Sequence, residues 1–171
     1  MGLAEDLGYA FPRPNPFQRS VQVVVSTRAG AWVLSKALPV TDRAVASLTA
    51  GRSSISELVA GVPIVVLTTT GRRSGLPRAS QLVGIPLREA LAVMGTNYGQ
   101  AATPAWVLNL EADPRASIAH ETTTIEVVAR PATDSERTQV IARAASIYGG
   151  YAKYLSRISG RRVRIFVLDP A

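Results

Sequence analysis

The residues best suited to chemistry in this chain lie in a glycine-flanked turn that carries two arginines and a serine. The turn reads G-R-R-S-G from Gly71 to Gly75, after the run I-V-V-L-T-T-T and before L-P-R, which adds Arg78. Glycine-rich turns can present backbone N–H groups to an anion, and guanidinium and hydroxyl groups add charge-assisted donors. The pattern predicts a strand, a tight turn that binds phosphate or carboxylate, and a second strand. The alternative is a hairpin whose basic tip only faces water.

Side chains alone offer little else for catalysis. The chain has 171 residues, no cysteine and one histidine, His120, which excludes thiol chemistry, disulfides and Cys- or His-rich metal clusters. The motifs G-x-G-x-x-G, G-x-x-x-x-G-K, H-E-x-x-H and G-x-S-x-G are absent, and the carboxylates are scattered. We therefore expect no metal site, and we expect a cofactor to supply the reaction chemistry.

The charge of the chain indicates an anionic partner. The net charge is +7 and the isoelectric point is near 10.5, which is typical of proteins that bind nucleic acid, an anionic membrane or a polyanionic small molecule. Aromatic residues are only 6% of the chain and are not interleaved with the arginines, so nucleic acid is not the expected partner. Glu5 and Asp6 stand where a signal peptide needs positive charge, and no apolar run is long enough to span a bilayer, so the sequence predicts a cytoplasmic protein.

The first third of the chain has helical character. Three prolines predict an irregular entry over residues 1–16, and helices are expected from Phe17 to about Leu38 and from Asp42 to Thr49. The first of these helices is basic and amphipathic, so it would pack on its own domain or contact an anionic membrane peripherally, at the inner face of the plasma membrane. We expect a single structural domain, in which residues 1–57 form this helical segment and residues 58–171 form the main body.

The main body is predicted to consist mostly of strands. In chain order, we first expect strands over Ile64–Leu67, Leu76–Pro86 with a break at Gly84, and Leu91–Thr96. A helix follows, with Thr103 as N-cap and Pro104 in the first position, and it ends before Asp113; strands are then expected over Ala116–His120 and Thr123–Ala129. The last elements are a helix from the capping box Thr133–Glu136 to about Arg157, with an interruption at Gly149-Gly150, and a strand over Val163–Leu168. Strands in short hairpins, rather than strictly alternating with helices, indicate an α+β protein built on an antiparallel barrel or half-barrel.

Several segments together resemble one known family. They are L-T-T-T-G-R-R-S-G-L-P-R at Leu67–Arg78, G-T-N-Y-G-Q at Gly95–Gln100, P-A-W-V-L-N-L at Pro104–Leu110, Asp113-Pro114, and the tyrosines Tyr148, Tyr151 and Tyr154. This set resembles the deazaflavin-dependent nitroreductases, split-barrel oxidoreductases that use coenzyme F-420. The resemblance extends from about Leu58 to Pro170, and the segment before it is similar to the quinone-reductase-type members.

The resemblance implies an FMN-binding split-barrel-like fold and a polyanionic cofactor. The coenzyme, an 8-hydroxy-5-deazaflavin, carries a phosphodiester and a tail of glutamates. In the family, the residues around the phosphate and tail correspond to Arg72, Arg73, Ser74 and Arg78. Those around the ring correspond to Met94, Gly95, Thr96, Asn97, Trp106 and Asn109. The alternatives are core packing for Trp106 and a helix-end hydrogen bond for Asn109.

The three tyrosines recur every third residue, so they lie along one side of a helix. Such a stripe is most often core, whereas the resemblance implies that Tyr148, Tyr151 and Tyr154 line a substrate pocket, with Tyr151 as a candidate proton donor. Some family members have an aromatic residue on the second strand, where this chain has Val83 and its neighbours, so we expect a more open or aliphatic pocket.

The resulting hypothesis is an oxidoreductase that passes a hydride from reduced coenzyme F-420 to a small electron-poor acceptor such as a quinone, a nitroaromatic or a conjugated enone. The nearest alternative is a reductase of the same fold that binds FMN. A non-catalytic basic module for membrane or nucleic acid is the alternative of another class, with a surface that would include Arg13, Arg19, Arg28 and Lys36.

Overall fold

The computed structural model of the protein describes residues 2–10, 27, 63–147 and 149–171. The helices predicted from Phe17 and over Asp42–Thr49 lie outside the described residues, as does Tyr148. The prediction of peripheral membrane contact through the N-terminal segment therefore stays a prediction. Within the described part of the chain, no helix is long and apolar enough to cross a membrane.

One antiparallel sheet of seven strands organises the molecule. The strands are β1 (Val65–Thr70), β2 (Pro77–Leu82), β3 (Ile85–Leu87), β4 (Ala90–Met94), β5 (Arg115–His120), β6 (Thr123–Pro131) and β7 (Ile165–Pro170). Their spatial order is β2-β1-β5-β6-β7-β4-β3, and every neighbouring pair is antiparallel. Among the described strand pairings, β2 and β3 are the two edges, although they follow each other in the chain. This confirms the predicted antiparallel half-barrel.

The helices cover the two faces of this sheet. They are α1 (Leu3–Asp6), α2 (Ala105–Ala112), α3 (Asp134–Ile147) and α4 (Gly150–Arg157), with a short turn over Asn97–Gly99. Central strand β4 is apolar on both sides, because alternate residues of a strand point to opposite faces. Leu91 and Val93 join a core with α1 and α2, here called the α2 core, whereas Ala92 and Met94 join a core with α3 and α4, the α3–α4 core.

The structure confirms two local predictions from the sequence, the capping box at Thr133 and the break at Gly149-Gly150. The Thr133 N–H donates to Glu136 Oε2 at 2.9 Å, and the Glu136 N–H donates to Thr133 Oγ1 at 3.3 Å, which is the reciprocal capping box. The predicted interruption at Gly149-Gly150 is also confirmed, because α3 ends at Ile147 and α4 begins at Gly150.

Several predicted boundaries differ in the structure. Strand β1 covers Val65–Thr70 rather than Ile64–Leu67, and β7 covers Ile165–Pro170 rather than Val163–Leu168. Pro104, rather than Thr103, is the N-cap of α2, because its ψ of 146° is extended and the helix begins only at Ala105. The expected irregular entry is wrong for its first residues, since Leu3–Asp6 is helical. Leu3 and Leu7, one turn apart, are both buried in the α2 core, so burial of this apolar pair stabilises the turn.

Residues 2–10 pack on the barrel. The Tyr9 hydroxyl donates to Pro63 O at 2.8 Å and accepts from the Gly84 N–H at 2.9 Å. A Cβ at Gly84 would collide with Leu91 Cδ2, so the absence of a side chain there lets the chain pass between β2 and β3. The prediction that the helical segment up to residue 57 packs on the barrel stays a prediction, because its helices lie outside the described residues.

Candidate coenzyme and substrate site

The turn between β1 and β2, Gly71–Gly75, is closed by its own backbone. The N–H groups of Gly71, Ser74 and Gly75 donate to carbonyl oxygens of the turn at 2.7–3.1 Å, and the Leu76 N–H donates to Ser74 Oγ at 3.3 Å. The Arg72 N–H donates to Asn109 Oδ1 at 3.1 Å. The N–H groups of Gly71, Arg72, Ser74 and Gly75 are engaged within the protein, so these four do not form the predicted nest for an anion. An anion at this turn would be bound by side chains.

The arginine side chains of the turn are available for that purpose. Arg72, Arg73 and Arg78 are exposed, and none of them makes an ion pair with a carboxylate in the described part of the chain. The reason lies in the sequence, because residues 63–87 contain no aspartate or glutamate. Arg78 Nη2 donates to Ser74 Oγ at 3.4 Å, which brings the predicted serine and arginine together.

Asn109 fixes this turn from behind. Its side chain is 5% exposed, its Oδ1 accepts from the Arg72 N–H, and its Nδ2 donates to Thr69 Oγ1 at 3.0 Å. Thr69 is itself buried, and its hydroxyl donates to Arg78 O at 3.4 Å. The amide of Asn109 therefore links α2 to both strands of the hairpin.

The loop Gly95–Gln100, which follows β4, has an unusual backbone. Asn97, Tyr98 and Gly99 are consecutive left-handed residues, with φ values of 47°, 55° and 81°. For non-glycine residues this conformation costs roughly 1–2 kcal/mol each, so surrounding contacts must hold it. One such contact is between Asn97 Nδ2 and Ala102 O, at 3.0 Å.

Arg161 contacts the same loop three times. Its Nη1 donates to Gly95 O at 2.9 Å, and its Nη2 donates to Thr96 O at 3.2 Å and to Gln100 O at 3.0 Å. Burial, followed by repulsion from Arg164, lowers the pKa of Arg161 from its ordinary value. Sequence reasoning missed this residue, because nothing in R-I-S-G-R-R distinguishes Arg161 from its neighbours.

The backbone of Gly95 and Thr96 is largely engaged. The Gly95 N–H donates to Arg164 O and the Thr96 N–H donates to Met94 O, both at 2.9 Å, while both carbonyl oxygens accept from Arg161. A Cβ at Gly95 would approach Val107 Cγ2 to 2.8 Å, so α2 packs directly against this loop. Helix α2 thus touches the loop through Val107 and the arginine turn through Asn109, two residues apart.

The predicted tyrosines form an aromatic cluster on the α3–α4 side of the sheet. Tyr154 lies edge-to-face with Tyr151 and with Tyr98, with 6.3 Å between ring centroids in each pair. Met94 and Val83 belong to the same core. The structure therefore brings four predicted residues together, and adds Tyr98, which the sequence did not single out. We call Tyr98, Tyr151 and Tyr154 the tyrosine cluster.

Burial sets the protonation state of Tyr151. Its side chain is 7% exposed, and burial, with smaller contributions from Tyr154 and Tyr98, raises the pKa of its hydroxyl above the ordinary value of 10. The hydroxyl is therefore neutral at physiological pH and suited to donating a hydrogen bond. It is a weaker acid than a tyrosine in water, which makes outright proton transfer from it less favourable.

Trp106 does not join this cluster. It is 6% exposed in the α2 core and lies edge-to-face with Phe166 at 6.2 Å, so the core-packing alternative describes its surroundings. The tyrosines lie in the other core, on the opposite face of β4 and β7. Trp106 therefore lies apart from the tyrosine cluster, and its predicted contact with the ring stays a prediction.

A cavity of about 780 Å³ lies elsewhere, beside the start of α3 and the end of α2. None of the predicted site residues lines it. Its charged walls are Arg130, Arg137, Arg162, Arg164, Glu111 and Asp134. We call this the arginine cleft. All four arginines bond within the protein, Arg137 through Val163 O at 2.7 Å and the others through carboxylates.

The fold is an antiparallel split barrel that carries an exposed cationic turn and a largely buried aromatic cluster. The family model described as F420H(2)-dependent quinone reductase matches residues 41–170, and the chain belongs to this family. It is accordingly an oxidoreductase whose cofactor is coenzyme F-420. The match gives no support to the FMN alternative or to a non-catalytic module.

Solved structures share this fold, and one of them is described as an F420-H2 dependent reductase. A structure described as an F420-H2 dependent reductase, FDR-A, has 28% sequence identity and a TM-score of 0.57, over 63% of this chain and 94% of that one. A structure described as a domain-swapped dimer shows the same fold at 24% identity and a TM-score of 0.59, over 81% and 97%. A heme binding protein from Mycobacterium smegmatis shares the fold at 22% identity and a TM-score of 0.50, over 65% of this chain and 47% of that one.

The donor set of the structure fits the coenzyme. A phosphodiester with a glutamate tail needs several cationic donors that no protein carboxylate neutralises, and Arg72, Arg73 and Arg78 are exposed cations without an ion pair among the described residues. The ring needs a flat apolar support next to that anchor. Since α2 contacts both the turn and the Gly95–Gln100 loop, the two are held by one rigid element.

Proposed function

We propose that the protein transfers a hydride from reduced coenzyme F-420 to a quinone-type acceptor that binds against the tyrosine cluster. The observation that carries this proposal is the cluster itself, with Met94 and Val83 in the same core and the Gly95–Gln100 loop beside it. A quinone is flat and apolar with two polar oxygens. Tyrosines match it, because they combine ring surface with hydroxyl donors.

Each part of the site has a distinct role in this proposal. Arg72, Arg73 and Arg78, with Ser74, hold the phosphate and the glutamate tail. The segment Met94–Asn97 supports the ring. When bound in its reduced form, the coenzyme supplies the hydride. Binding and orientation are the work of the protein, which offers no nucleophile of its own.

The substrate side depends on the state of Tyr151. Because its hydroxyl stays neutral, Tyr151 can donate a hydrogen bond to the acceptor oxygen on which negative charge develops. Tyr98 and Tyr154 provide the aromatic surface, and Val83 adds an aliphatic side chain to the same core. Tyr148 would extend this surface, as expected from the tyrosine spacing. Asn109 acts on the coenzyme through the arginine turn and Trp106 through the sheet.

The acceptor is tested with purified protein and reduced coenzyme. Oxidation of the coenzyme is followed by absorbance with a naphthoquinone, a nitroaromatic and a cyclic enone of similar size. We expect the largest kcat/KM with the quinone. Reduction of the nitroaromatic or the enone at a higher kcat/KM would refute the quinone assignment, although the coenzyme assignment would stand.

The role of Tyr151 is tested by Tyr151→Phe. Losing one hydrogen bond costs about 1 kcal/mol, so we expect kcat/KM for the quinone to fall about fivefold, with unchanged affinity for the coenzyme. Tyr9→Phe is the matched control, because Tyr9 is also buried and hydrogen-bonded but lies in the α2 core. That control should lower stability and leave kcat/KM unchanged.

A further inference from the structure

We infer that Arg161 is the positioning residue of the coenzyme's ring site, because its guanidinium holds the carbonyl groups of Gly95, Thr96 and Gln100 in one arrangement. The inference rests on the proposed placement of the ring beside Met94–Asn97. It adds a residue from a distant part of the chain, 61–66 positions from its partners.

The contacts span the whole loop. Gly95 O is at its beginning and Gln100 O at its end, and one guanidinium bonds both, so it closes the loop as a clamp. Thr96 O accepts from Arg161 Nη2 and from the Gly99 N–H. Arginine suits this task, because its donors form a rigid planar fork and it stays charged when partly buried.

The loop needs such a clamp for two reasons. Three consecutive left-handed residues, Asn97–Gly99, are unfavourable without external contacts. The same loop carries Tyr98, whose ring contacts Tyr154. Arg161 therefore fixes a segment that supports the ring on one side and the tyrosine cluster on the other.

Burial of its Nε also restricts the Arg161 side chain to this position. Its Nε is buried, and no partner for it is present among the described residues. A buried N–H without a partner is costly, so the three carbonyl contacts have to compensate for it. Arg162, the next residue, shows the contrast, because its side chain is 70% exposed and pairs with Asp134 in the arginine cleft.

The test uses two ligands. One is the complete coenzyme, and the other is the deazaflavin riboside, which has the ring but lacks the phosphate and the glutamate tail. Dissociation constants are measured by fluorescence titration for the wild type, Arg161→Gln, Arg161→Lys and the control Arg162→Gln.

If Arg161 positions the ring site, Arg161→Gln weakens the coenzyme and the riboside by the same factor, about tenfold. Arg161→Lys recovers part of the loss, since an ammonium can still bond one or two of the carbonyls. Arg162→Gln changes neither constant. The inference is overturned if Arg161→Gln binds the riboside as tightly as the wild type does.

Hydrogen exchange of the protein without ligand gives an independent measurement. The N–H groups of Gly99 and Gln100 bond to Thr96 O and Asn97 O inside the loop. They should exchange about tenfold faster in Arg161→Gln, while the strands keep wild-type rates. Unchanged exchange at both residues would also overturn the inference, and Arg161→Lys provides the same measurement if Arg161→Gln fails to fold.

Failure of the proposed function has a different signature. In that case the wild type itself would not bind the riboside or the coenzyme, whereas the exchange rates would still report on the clamp. A wild type that binds both ligands, with a variant that also binds both equally well, would refute the clamp alone.

Discussion

Two groups of arginines on this molecule differ in whether aspartate or glutamate side chains pair with them. In the arginine cleft, Arg130 forms a bidentate pair with Glu136 at 2.8 and 2.9 Å and also reaches Asp169 at 2.8 Å. At the turn between β1 and β2, no described carboxylate pairs with Arg72, Arg73 or Arg78. The same side chain thus serves structure in one region and leaves its charge open to a ligand in the other.

This difference teaches that a positive net charge is not by itself a binding site. The cleft contributes four arginines to the total, yet three of them pair with carboxylates and Arg137 donates to Val163 O. The turn and the start of β2 carry three arginines, Arg72, Arg73 and Arg78. These cations are nevertheless the ones that can neutralise a polyanion, because they have no internal counter-charge.

The strongest test of this comparison is the double change Arg72→Ala with Arg78→Ala. Each hydrogen bond to a charged group contributes about 1.5–3 kcal/mol, so we expect coenzyme affinity to fall about 100-fold or more. The melting temperature should stay within about 1 °C, since both side chains are exposed. A fluorescence titration measures the affinity. The matched double change Arg162→Ala with Arg164→Ala removes the same charge from the cleft and should leave affinity unchanged, and equal losses in both would break the comparison.

Asn109→Ala tests the support behind the turn. The change leaves the Arg72 N–H without its acceptor and the buried Thr69 Oγ1 without its donor, so we expect a stability loss of about 1–3 kcal/mol and coenzyme binding about tenfold weaker. Denaturant unfolding and the fluorescence titration measure the two effects. Asn109→Asp keeps the acceptor for Arg72 and should retain more affinity than Asn109→Ala. A loss of affinity without any loss of stability would instead indicate direct contact with the coenzyme.

Arg130→Ala tests the structural side of the comparison. We expect about 1 kcal/mol of lost stability, because the pair is partly exposed, and no change in coenzyme affinity. The hydrogen bonds from Arg130, followed by the one from the Thr133 N–H, lower the pKa of Glu136 from 4.5 to about 2.

The sign of the pH effect follows from that depressed pKa. The contribution of Glu136 is fully present above pH about 4.5 and is lost as pH falls towards about 2. The free energy of unfolding, measured by denaturant titration at pH values between 6 and 2, should therefore fall less steeply for Arg130→Ala than for the wild type. Parallel curves would show that the ion pair does not contribute to acid stability.

The smallest expected effect is the change of coenzyme affinity with salt concentration. Exposed charges are screened as ionic strength rises, so raising it from roughly 0.05 to 0.5 M should weaken coenzyme binding several-fold in the wild type. The variant with both Arg72 and Arg78 changed should show a smaller dependence. Equal salt dependence in the two proteins would mean that other cations provide the attraction.

The sequence predicted those structural features that depend only on residues close together in the chain. The capping box at Thr133, the break at Gly149-Gly150 and the hairpin at Gly71–Gly75 depend on neighbouring residues, and all three are confirmed. The resemblance named the family correctly, because its motifs are short and ordered along the chain.

The remainder depended on contacts between distant segments. Arg161 meets its loop, and Asn109 meets Arg72, only after the sheet has formed, and neither contact leaves a spacing signal. Trp106 was grouped with the ring residues on the family resemblance; in the structure it packs in the α2 core, and its contact with the ring stays a prediction. The predicted N–H nest is not formed by Gly71, Ser74 and Gly75, because their N–H groups donate to carbonyl oxygens of the turn and of Leu76.

Strand β4 separates the two cores by a single residue of register, with Val93 facing α2 and Met94 facing the tyrosine side. Inserting or deleting one residue between Ala90 and Met94 would exchange these faces along the strand that leads to Gly95. A single-codon insertion or deletion there should therefore abolish folding and coenzyme binding in one event. Point substitutions on one face, such as Val93→Ile, leave the other face intact. The length of this short strand is consequently under a tighter constraint than the identity of any residue in it.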